Sequence, residues 1–465
     1  MFCLAVVIGG LPASAAVRAK DGLIQIPGVP HVRQKPGFCG EACVEMVLRT
    51  LGRKGDQNWV FNQSGVDPAL GRGCVTPELA AALKKIGFKV GEVWFTVYAS
   101  QAADELETLW RAALADLRRG IPSIVCMHYD EQPGTTEHFR LVTGYDPASD
   151  EVIYHEPAEE GGANRRMKKA RFIALWPLKY EKERWTIVRL RGEPGRLIEA
   201  VSGEGFTPAD YAQHVMELRK KVPKGFSIVI EEPFVVIGDE AAPVVKRRAQ
   251  ETVGWAVALL EKDYFKREPL EILDVWLFRD AASYEKYTRA IFGHEPTTPF
   301  GFYSSADRAL IMNIATGGGT LVHEIVHPFM RANFPKCPAW FNEGLASLYE
   351  QSCERDGHIK GLTNWRLAGL QKLIHEGAIP SFKTLLSTTD AEFYGSDRGD
   401  NYAQARYLCY YLQAEGLLGT FYRDFVANPK ADPSGYETLK KTLGEKDMDV
   451  FQRKWQRFVL GLKFP

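Results

Sequence analysis

The sequence lacks the features that would assign a protein to a class at once: an excess of charge of one sign, a long apolar run and internal repetition. Its 58 basic and 58 acidic side chains balance, so electrostatics gives no reason to expect nucleic acid or an anionic membrane as a partner. No stretch after the N-terminus reaches the roughly 18 apolar residues of a membrane span. These absences give no reason to expect a nucleic acid, an anionic membrane surface or a membrane span.

The composition is that of a protein with packed cores. At roughly 100–200 residues per domain, the 465 residues correspond to two to four domains. Apolar residues make up 45% and charged residues 25%, which is ordinary for globular proteins. Glycine and proline cluster between residues 192 and 208, which predicts a linker. We therefore expect one domain over 20–191 and a second over 209–465.

Apolar periodicity predicts an α+β fold for each half. In the first half, predicted helices precede a set of strands. The helices are expected at 39–52, 77–87 and 103–119, and the strands at 123–128, 139–145, 152–154 and 185–191. In the second half, we expect a small mixed sheet followed by a helical C-terminal half. Its helices are predicted at 208–221 and 243–263, its strands at 226–237, 271–278 and 309–313, and nearly all of the chain from 340 onward is predicted to be helical.

The first residues, MFCLAVVIGGLPASAA, combine a short apolar segment with small residues. Ala13-Ser14-Ala15 matches the A-x-A pattern of a signal-peptide cleavage site. The apolar run is too short to span a bilayer, and no basic residue precedes it. The segment predicts a signal peptide over 1–16 and a secreted or periplasmic protein. The alternative is a buried N-terminal strand.

Eight cysteines are many for a cytosolic enzyme and few for a disulfide scaffold. One pairing can be argued against, because Cys337 and Cys353 flank a predicted helix that would hold them about 20 Å apart. A disulfide needs Cα atoms within about 7 Å. Pairing of Cys43 with Cys74 stays open.

Residues 323–327 read His-Glu-Ile-Val-His on a predicted helix. Residues four apart share a helix face, so His323 and His327 can bind one ion. Glu324 can orient and deprotonate a water molecule. Glu343 lies on a predicted second helix, and two histidines, a carboxylate and an open position are typical of catalytic zinc rather than of a closed structural site. The alternative is that both histidines are hydrogen-bonded core residues.

With Trp340-Phe341-Asn342-Glu343-Gly344-Leu345-Ala346, this motif resembles the gluzincin metallopeptidases, the group that includes thermolysin and the zinc aminopeptidases. The resemblance covers roughly residues 225–425. It implies that the two histidines and Glu343 bind Zn²⁺ and that Glu324 is the general base.

The same resemblance carries expectations for the surroundings of the metal. It implies that strand 309–313 is an edge strand along which an extended substrate aligns. Tyr402 is a candidate donor to the developing oxyanion; the alternative is aromatic packing. Pro328 departs from the family pattern, and it is expected to kink or end the helix.

A second constellation begins with residues 34–43, Gln-Lys-Pro-Gly-Phe-Cys-Gly-Glu-Ala-Cys. Cys39 would begin a helix, whose dipole favours a thiolate. His138 opens a predicted strand, and Glu156 follows another. Cysteine, histidine and a carboxylate in this order fit a nucleophile, a base and the group that orients the base. Gln34 can donate to an oxyanion, and the alternative for Cys39 is a small buried apolar side chain.

These residues resemble the papain-like peptidases that cut double-glycine leader peptides, and their wider C39-like relatives, over about residues 25–175. The resemblance implies Cys39 as nucleophile, His138 as base and Gln34 as oxyanion donor. Glu156 stands where the family usually has aspartate before proline, and Gln34 lies one residue closer to Cys39 than is common. An inactive domain that still binds peptides is the alternative.

The combined prediction is a secreted zinc-dependent peptidase that hydrolyses peptide bonds. Its N-terminal domain is expected to be either a second, cysteine-dependent peptidase or a peptide-binding module. The expected partner is a peptide or protein substrate, with no nucleic acid and no membrane span. The alternative from another class is a non-catalytic peptide-binding or adaptor protein that retains the peptidase folds.

Overall fold

The structure, a computed structural model, describes residues 22–201, 203, 205–395 and 399–464. The predicted signal peptide over 1–16 lies outside the described residues. The chain forms two compact units, and the division falls between Lys220 and Lys221.

The first unit is an α+β domain built on an antiparallel sheet of seven strands. The strands are β1 (Ile24–Gln25), β2 (Trp94–Tyr98), β3 (Ser123–His128), β4 (Glu137–Asp146), β5 (Glu151–His155), β6 (Arg165–Lys168) and β7 (Arg184–Arg191). Their order is β2-β7-β3-β4-β5-β6, and β1 pairs with β4. The helices are α1 (Cys39–Thr50), α2 (Gln57–Ser64), α3 (Thr76–Ile86), α4 (Ala102–Arg118), α5 (Lys169–Leu175) and α6 (Pro208–Leu218), with 3₁₀ turns at Pro68–Leu70 and Ala99–Gln101.

Each face of this sheet packs against helices because alternate strand residues point to opposite sides. On one face, Ile124 and Leu141 share a core with residues of α1 and α3. On the other face, Val125 and Val142 share a core with Trp110 of α4. The sheet therefore holds the N-terminal end of α1 beside β4.

The boundary between the units differs from the predicted linker. The prediction placed α6 at the start of the second domain, whereas Ala209 and Ala212 of α6 lie in the same core as α1 and α3. The helix belongs to the first unit because its apolar face is buried there. Glycine and proline between 192 and 208 therefore mark a loop within the first unit.

The second unit combines a mixed sheet with a helical C-terminal half, as predicted. Its sheet has the order β11-β12-β10-β9-β8. The strands are β8 (Ser227–Glu231), β9 (Phe234–Gly238), β10 (Leu273–Phe278), β11 (Gly301–Ser304) and β12 (Ala309–Asn313), followed by the hairpin β13 (Ser352–Arg355) and β14 (His358–Gly361).

The helices of the second unit surround one large core. They are α7 (Ala242–Arg248), which a π-helical turn at Ala249–Gly254 joins to α8 (Trp255–Asp263), then α9 (Ala281–Phe292), a 3₁₀ turn at Ile314–Thr316, α10 (Gly319–Asn333), α11 (Ala339–Leu348), α12 (Arg366–His375), α13 (Phe382–Leu386), α14 (Asp390–Gly395), α15 (Asp400–Ala414), α16 (Leu418–Ala427), α17 (Tyr436–Leu443) and α18 (Met448–Gly461). Among the described residues, no helix is long and apolar enough to cross a membrane.

Several local expectations were wrong. The strand predicted at 226–237 is the hairpin of β8 and β9. Strand β12 does not lie at the sheet edge, because β11 pairs with it on one side and β10 on the other. Helix α10 continues through Pro328 to Asn333, so the proline neither ends the helix nor moves the histidines that precede it.

Candidate functional site

The two histidines of the metal motif lie one turn apart on α10, with ring centroids 4.9 Å from each other. Glu343 lies on α11, which packs against α10 and is buried along most of its length. One ligand atom from each of His323, His327 and Glu343 can be chosen so that all lie within 4.8 Å of one another. The structure thus brings together the three predicted ligands.

The geometry and the lack of a partner for one oxygen fit a zinc ion. Glu343 Oε2 lies 3.2 Å from His323 Nε2 and 3.9 Å from His327 Nε2. Ligand atoms of a tetrahedral zinc site at about 2.0–2.1 Å from the metal are about 3.4 Å apart. Glu343 Oε2 is buried without a hydrogen-bond partner, and a buried carboxylate oxygen without a partner is costly. A cation between the three groups would satisfy this oxygen.

Each histidine also has a polar group at its outer nitrogen. His323 Nδ1 lies 3.3 Å from Glu350 Oε1, and His327 Nδ1 lies 3.2 Å from Asn342 Oδ1. Such partners fix the ring orientation and tautomer of a metal-binding histidine. The sequence analysis did not assign Glu350 a role.

Glu350 is itself held by two further side chains. Arg366 donates from Nε and from its terminal nitrogen to the two carboxylate oxygens at 3.0 and 2.9 Å. Asn364 donates to Glu350 Oε2 at 3.0 Å. The carboxylate is buried, and its neighbours His323 and Arg366 lower its pKa to about 2 against the effect of burial. Glu350 is therefore an anionic anchor for His323.

Glu324 faces a cavity of about 1060 Å³ in the second unit. Burial raises the pKa of its carboxyl. A raised pKa makes the carboxylate a better proton acceptor. The backbone of Tyr303 on β11 opposes this rise. Edge strand β11 thus borders the proposed base. The sequence did not predict this strand and assigned the edge position to β12. Aromatic side chains line the cavity: Trp255, Phe300, Trp365 and Tyr402.

Tyr394, which the sequence did not single out, contacts Glu343, whereas the candidate oxyanion donor Tyr402 lines the cavity. Tyr402 lines the cavity and packs on Phe393 and under the guanidinium of Arg366. Tyr394 on α14 donates from its hydroxyl to Glu343 Oε1 at 2.8 Å. This bond leaves Glu343 Oε2 to face the histidines. No aromatic motif in the sequence distinguishes Tyr394 from its neighbour Phe393.

In the first unit, Cys39 begins α1 as predicted. Burial raises the pKa of its thiol to about 11, although backbone N–H groups, that of Phe139 first, oppose the rise. The expected stabilisation of a thiolate by the helix N-terminus is therefore outweighed by desolvation. Within residues 22–201, no hydrogen bond joins Cys39 to His138. The resting thiol is protonated at neutral pH.

The predicted base and its orienting group do meet. His138 Nε2 hydrogen-bonds Glu156 Oε1, and both side chains are buried. The second oxygen of Glu156 accepts from Arg140 Nε at 2.6 Å. Arg140 also donates to the carbonyl oxygens of His128 and Tyr129. Arg140, which the sequence analysis missed, holds the carboxylate and shares its charge with His138.

Gln34 lies close to this pair through the backbone. Its N–H donates to the carbonyl oxygen of Pro157, the residue after Glu156, at 2.8 Å. Its side-chain Oε1 is buried without a hydrogen-bond partner. The structure therefore places Gln34 beside the end of β5. Cys43 and Cys74 are both free, so the pairing left open by the sequence is not formed.

Comparison with known proteins concerns the first unit. Residues 26–182 match the family described as Peptidase_C39 like, so the chain has an N-terminal C39-like domain. Among solved structures, the chain is similar to the peptidase domain of Streptococcus ComA, a bi-functional ABC transporter involved in a quorum sensing pathway. The two share 18% identity with a TM-score of 0.22, and the match covers 34% of this chain and 95% of that one. No curated protein matches the chain. The C39-like domain indicates a peptidase or peptide-binding role.

Proposed function

We propose that the chain is a zinc peptidase, with its metal site in the second unit and the C39-like domain as a second peptide-handling site. The observation that carries the proposal is the convergence of two histidine Nε2 atoms on Glu343 Oε2, a buried oxygen that accepts no hydrogen bond. When bound, zinc supplies the positive charge that polarises a peptide carbonyl.

The side chains of the second unit would do the remaining work. Glu324 holds a carboxylate at the cavity wall, where it takes the proton of an attacking water molecule and later passes it to the leaving amine. Glu350 and Asn342 keep the two histidines in the tautomer that leaves Nε2 free. Edge strand β11 borders the cavity through Gly301, so an extended peptide in the cavity would lie beside this strand.

The first test is metal content. We expect about one zinc per chain in the wild-type protein and a marked loss in His323→Ala. The matched control is His375→Ala, because His375 is an exposed histidine of α12. Equal zinc in wild type and His323→Ala would contradict the ligand assignment.

The second test is cleavage of a peptide library with and without a chelator. We expect chelation to abolish cleavage and added zinc to restore it. A chelator-insensitive wild type whose cleavage persists in His323→Ala would remove the second unit as the source of the activity.

The second candidate function is cysteine peptidase activity of the C39-like domain, which the His138–Glu156 pair favours. Its activity would resist a chelator and be lost in Cys39→Ala. The control is Cys353→Ala, which removes a thiol from β13 in the other unit. If Cys39→Ala binds peptides as wild type does and no chelator-resistant cleavage is found, the domain is a peptide-binding module.

A further inference from the structure

Strand β2 lies at one edge of the seven-stranded sheet, since β7 is its single partner among the described strands. Two hydrogen bonds show which residues of the β2 segment bond to β7. Arg189 N–H donates to Val93 O, and Ala99 N–H donates to Glu183 O. In an antiparallel pair, bonded and non-bonded residues alternate. The backbone groups of Trp94, Thr96 and Tyr98 therefore point away from the sheet.

Part of this edge is unsatisfied. The outward N–H of Tyr98 donates to Glu105 Oε2 at 2.8 Å. Within the described part of the chain, no acceptor hydrogen-bonds the outward N–H of Trp94 or Thr96. Trp94 and Tyr98 are also 44% and 52% exposed. A strand edge with free backbone groups and exposed aromatic side chains can accept another strand.

A groove of about 430 Å³ runs between this strand and α4. Its apolar wall comes from Phe95, Val97 and Leu109. Its acidic side chains are Glu92, Asp104 and Glu105, and none of them has an ion-pair partner among residues 22–201. The other acidic residue near this end of the helix, Glu107, is paired with Lys169 and Arg111.

We propose that the β2 edge and this groove form a docking site for an extended basic peptide, separate from both candidate active sites. The peptide adds as a strand to the outward groups of Trp94 and Thr96. Its apolar side chains pack against the groove wall, and its lysine or arginine side chains pair with the three carboxylates. The charge of the groove selects a basic segment, since an acidic one would meet like charge.

The probe is an end-blocked, fluorescent peptide of alternating lysine and valine, titrated into the full chain and followed by anisotropy. We expect binding that weakens as salt rises, and at least tenfold weaker binding of the matching glutamate–valine peptide. Equal binding of the two peptides would overturn the proposal.

Two variants separate this edge from other surfaces. Thr96→Pro removes an outward N–H that has no partner, and proline is tolerated on edge strands; we expect at least a tenfold loss of affinity. Thr96→Val keeps the N–H and should bind as wild type. Unchanged binding by Thr96→Pro would show that the peptide occupies another site, such as a catalytic cleft, and would sink the proposal.

The charge is tested by the double variant Glu92→Lys and Asp104→Lys. We expect it to lose the basic peptide and to gain affinity for the acidic one. The control reverses Glu159 and Glu160, which lie between β5 and β6 at the opposite edge of the sheet. The proposal fails if the control loses as much affinity as the groove variant. It also fails if the protein elutes as a dimer that Thr96→Pro dissolves, because a second copy would then fill the edge.

Discussion

Removing the charge of Glu350 tests whether the environment of the proposed metal site contributes to zinc affinity. The carboxylate lies 3.3 Å from His323 Nδ1 and is fixed by Arg366 and Asn364. Glu350→Gln keeps the shape of the side chain but removes the charge that orients the imidazole. Loss of such a partner typically costs 10–100-fold in metal affinity, which is about 1.4–2.7 kcal/mol. We expect zinc to bind this much more weakly, with its ligand set intact.

The measurement is a competition titration against a chromophoric chelator, which gives the zinc dissociation constant of each variant. Glu376→Gln is the control, because Glu376 is an exposed carboxylate directly after α12. His323→Ala sets the scale for the loss of a ligand. An unchanged dissociation constant for Glu350→Gln would refute the orienting role. A loss as large as that of His323→Ala would show that Glu350 is itself a ligand.

Three further predictions concern Glu324, the thiols of Cys39 and of Cys126 on β3, and Glu41, which lies on α1 two residues after Cys39. Glu324→Gln should retain zinc but lose peptide cleavage, because an amide cannot accept the proton of water; a zinc-loaded variant with wild-type turnover would remove Glu324 as base. Iodoacetamide should label Cys39 faster than Cys126, with rates that rise toward high pH, because burial raises the pKa of Cys39 to about 11 and that of Cys126 to about 12. The labelled sites are measured by mass spectrometry, and faster labelling of Cys126 would contradict the assignment. Burial raises the pKa of Glu41 to about 7, so the folded state loses stability as pH rises from 4.5 toward 7. Glu41→Gln should therefore raise the midpoint of thermal unfolding more at pH 8 than at pH 5. An equal shift of the midpoint at the two pH values would refute this.

The convergence of the proposed metal ligands was predictable because their arrangement is local. The helical period places His323 and His327 on one face whatever surrounds them, and a short loop suffices to return Glu343. The groups that hold these ligands were not predictable. Arg366 and Glu350 meet only because the β13–β14 hairpin folds back, and Tyr394 reaches Glu343 from a helix far along the chain.

The errors in the second unit have a similar cause. Pro233 inside the predicted strand 226–237 was a signal for a turn, since proline interrupts a paired strand. Strand β11 has four residues and includes a glycine, so neither length nor alternation marks it. Its presence is decided by pairing with β12, which is a tertiary contact. The consequence matters for the proposed function, because β11 rather than β12 is the edge strand beside Glu324.

The two candidate sites share one arrangement: a buried carboxylate orients a histidine and is itself held by an arginine. In the second unit the members are His323, Glu350 and Arg366, and there the carboxylates of Glu343 and Glu350 outweigh burial and raise the pKa of His323. In the first unit Arg140 holds Glu156, and its positive charge lies beside the carboxylate that also contacts His138. A thiolate–imidazolium pair needs the carboxylate to stabilise a charged His138, and the arginine competes for that carboxylate.

This competition can be measured at Cys39. Arg140→Gln removes the cation while retaining a donor, so Glu156 is left to stabilise protonated His138. We expect Cys39 to react with iodoacetamide several-fold faster near neutral pH, with Arg33→Gln as the control because Arg33 is exposed. The variant must first be shown to be folded, since removing one partner of a buried pair typically costs about 3–5 kcal/mol. In a folded variant, an unchanged or slower reaction would show that Arg140 mainly positions Glu156, and that the charge it carries does not limit the reactivity of the cysteine.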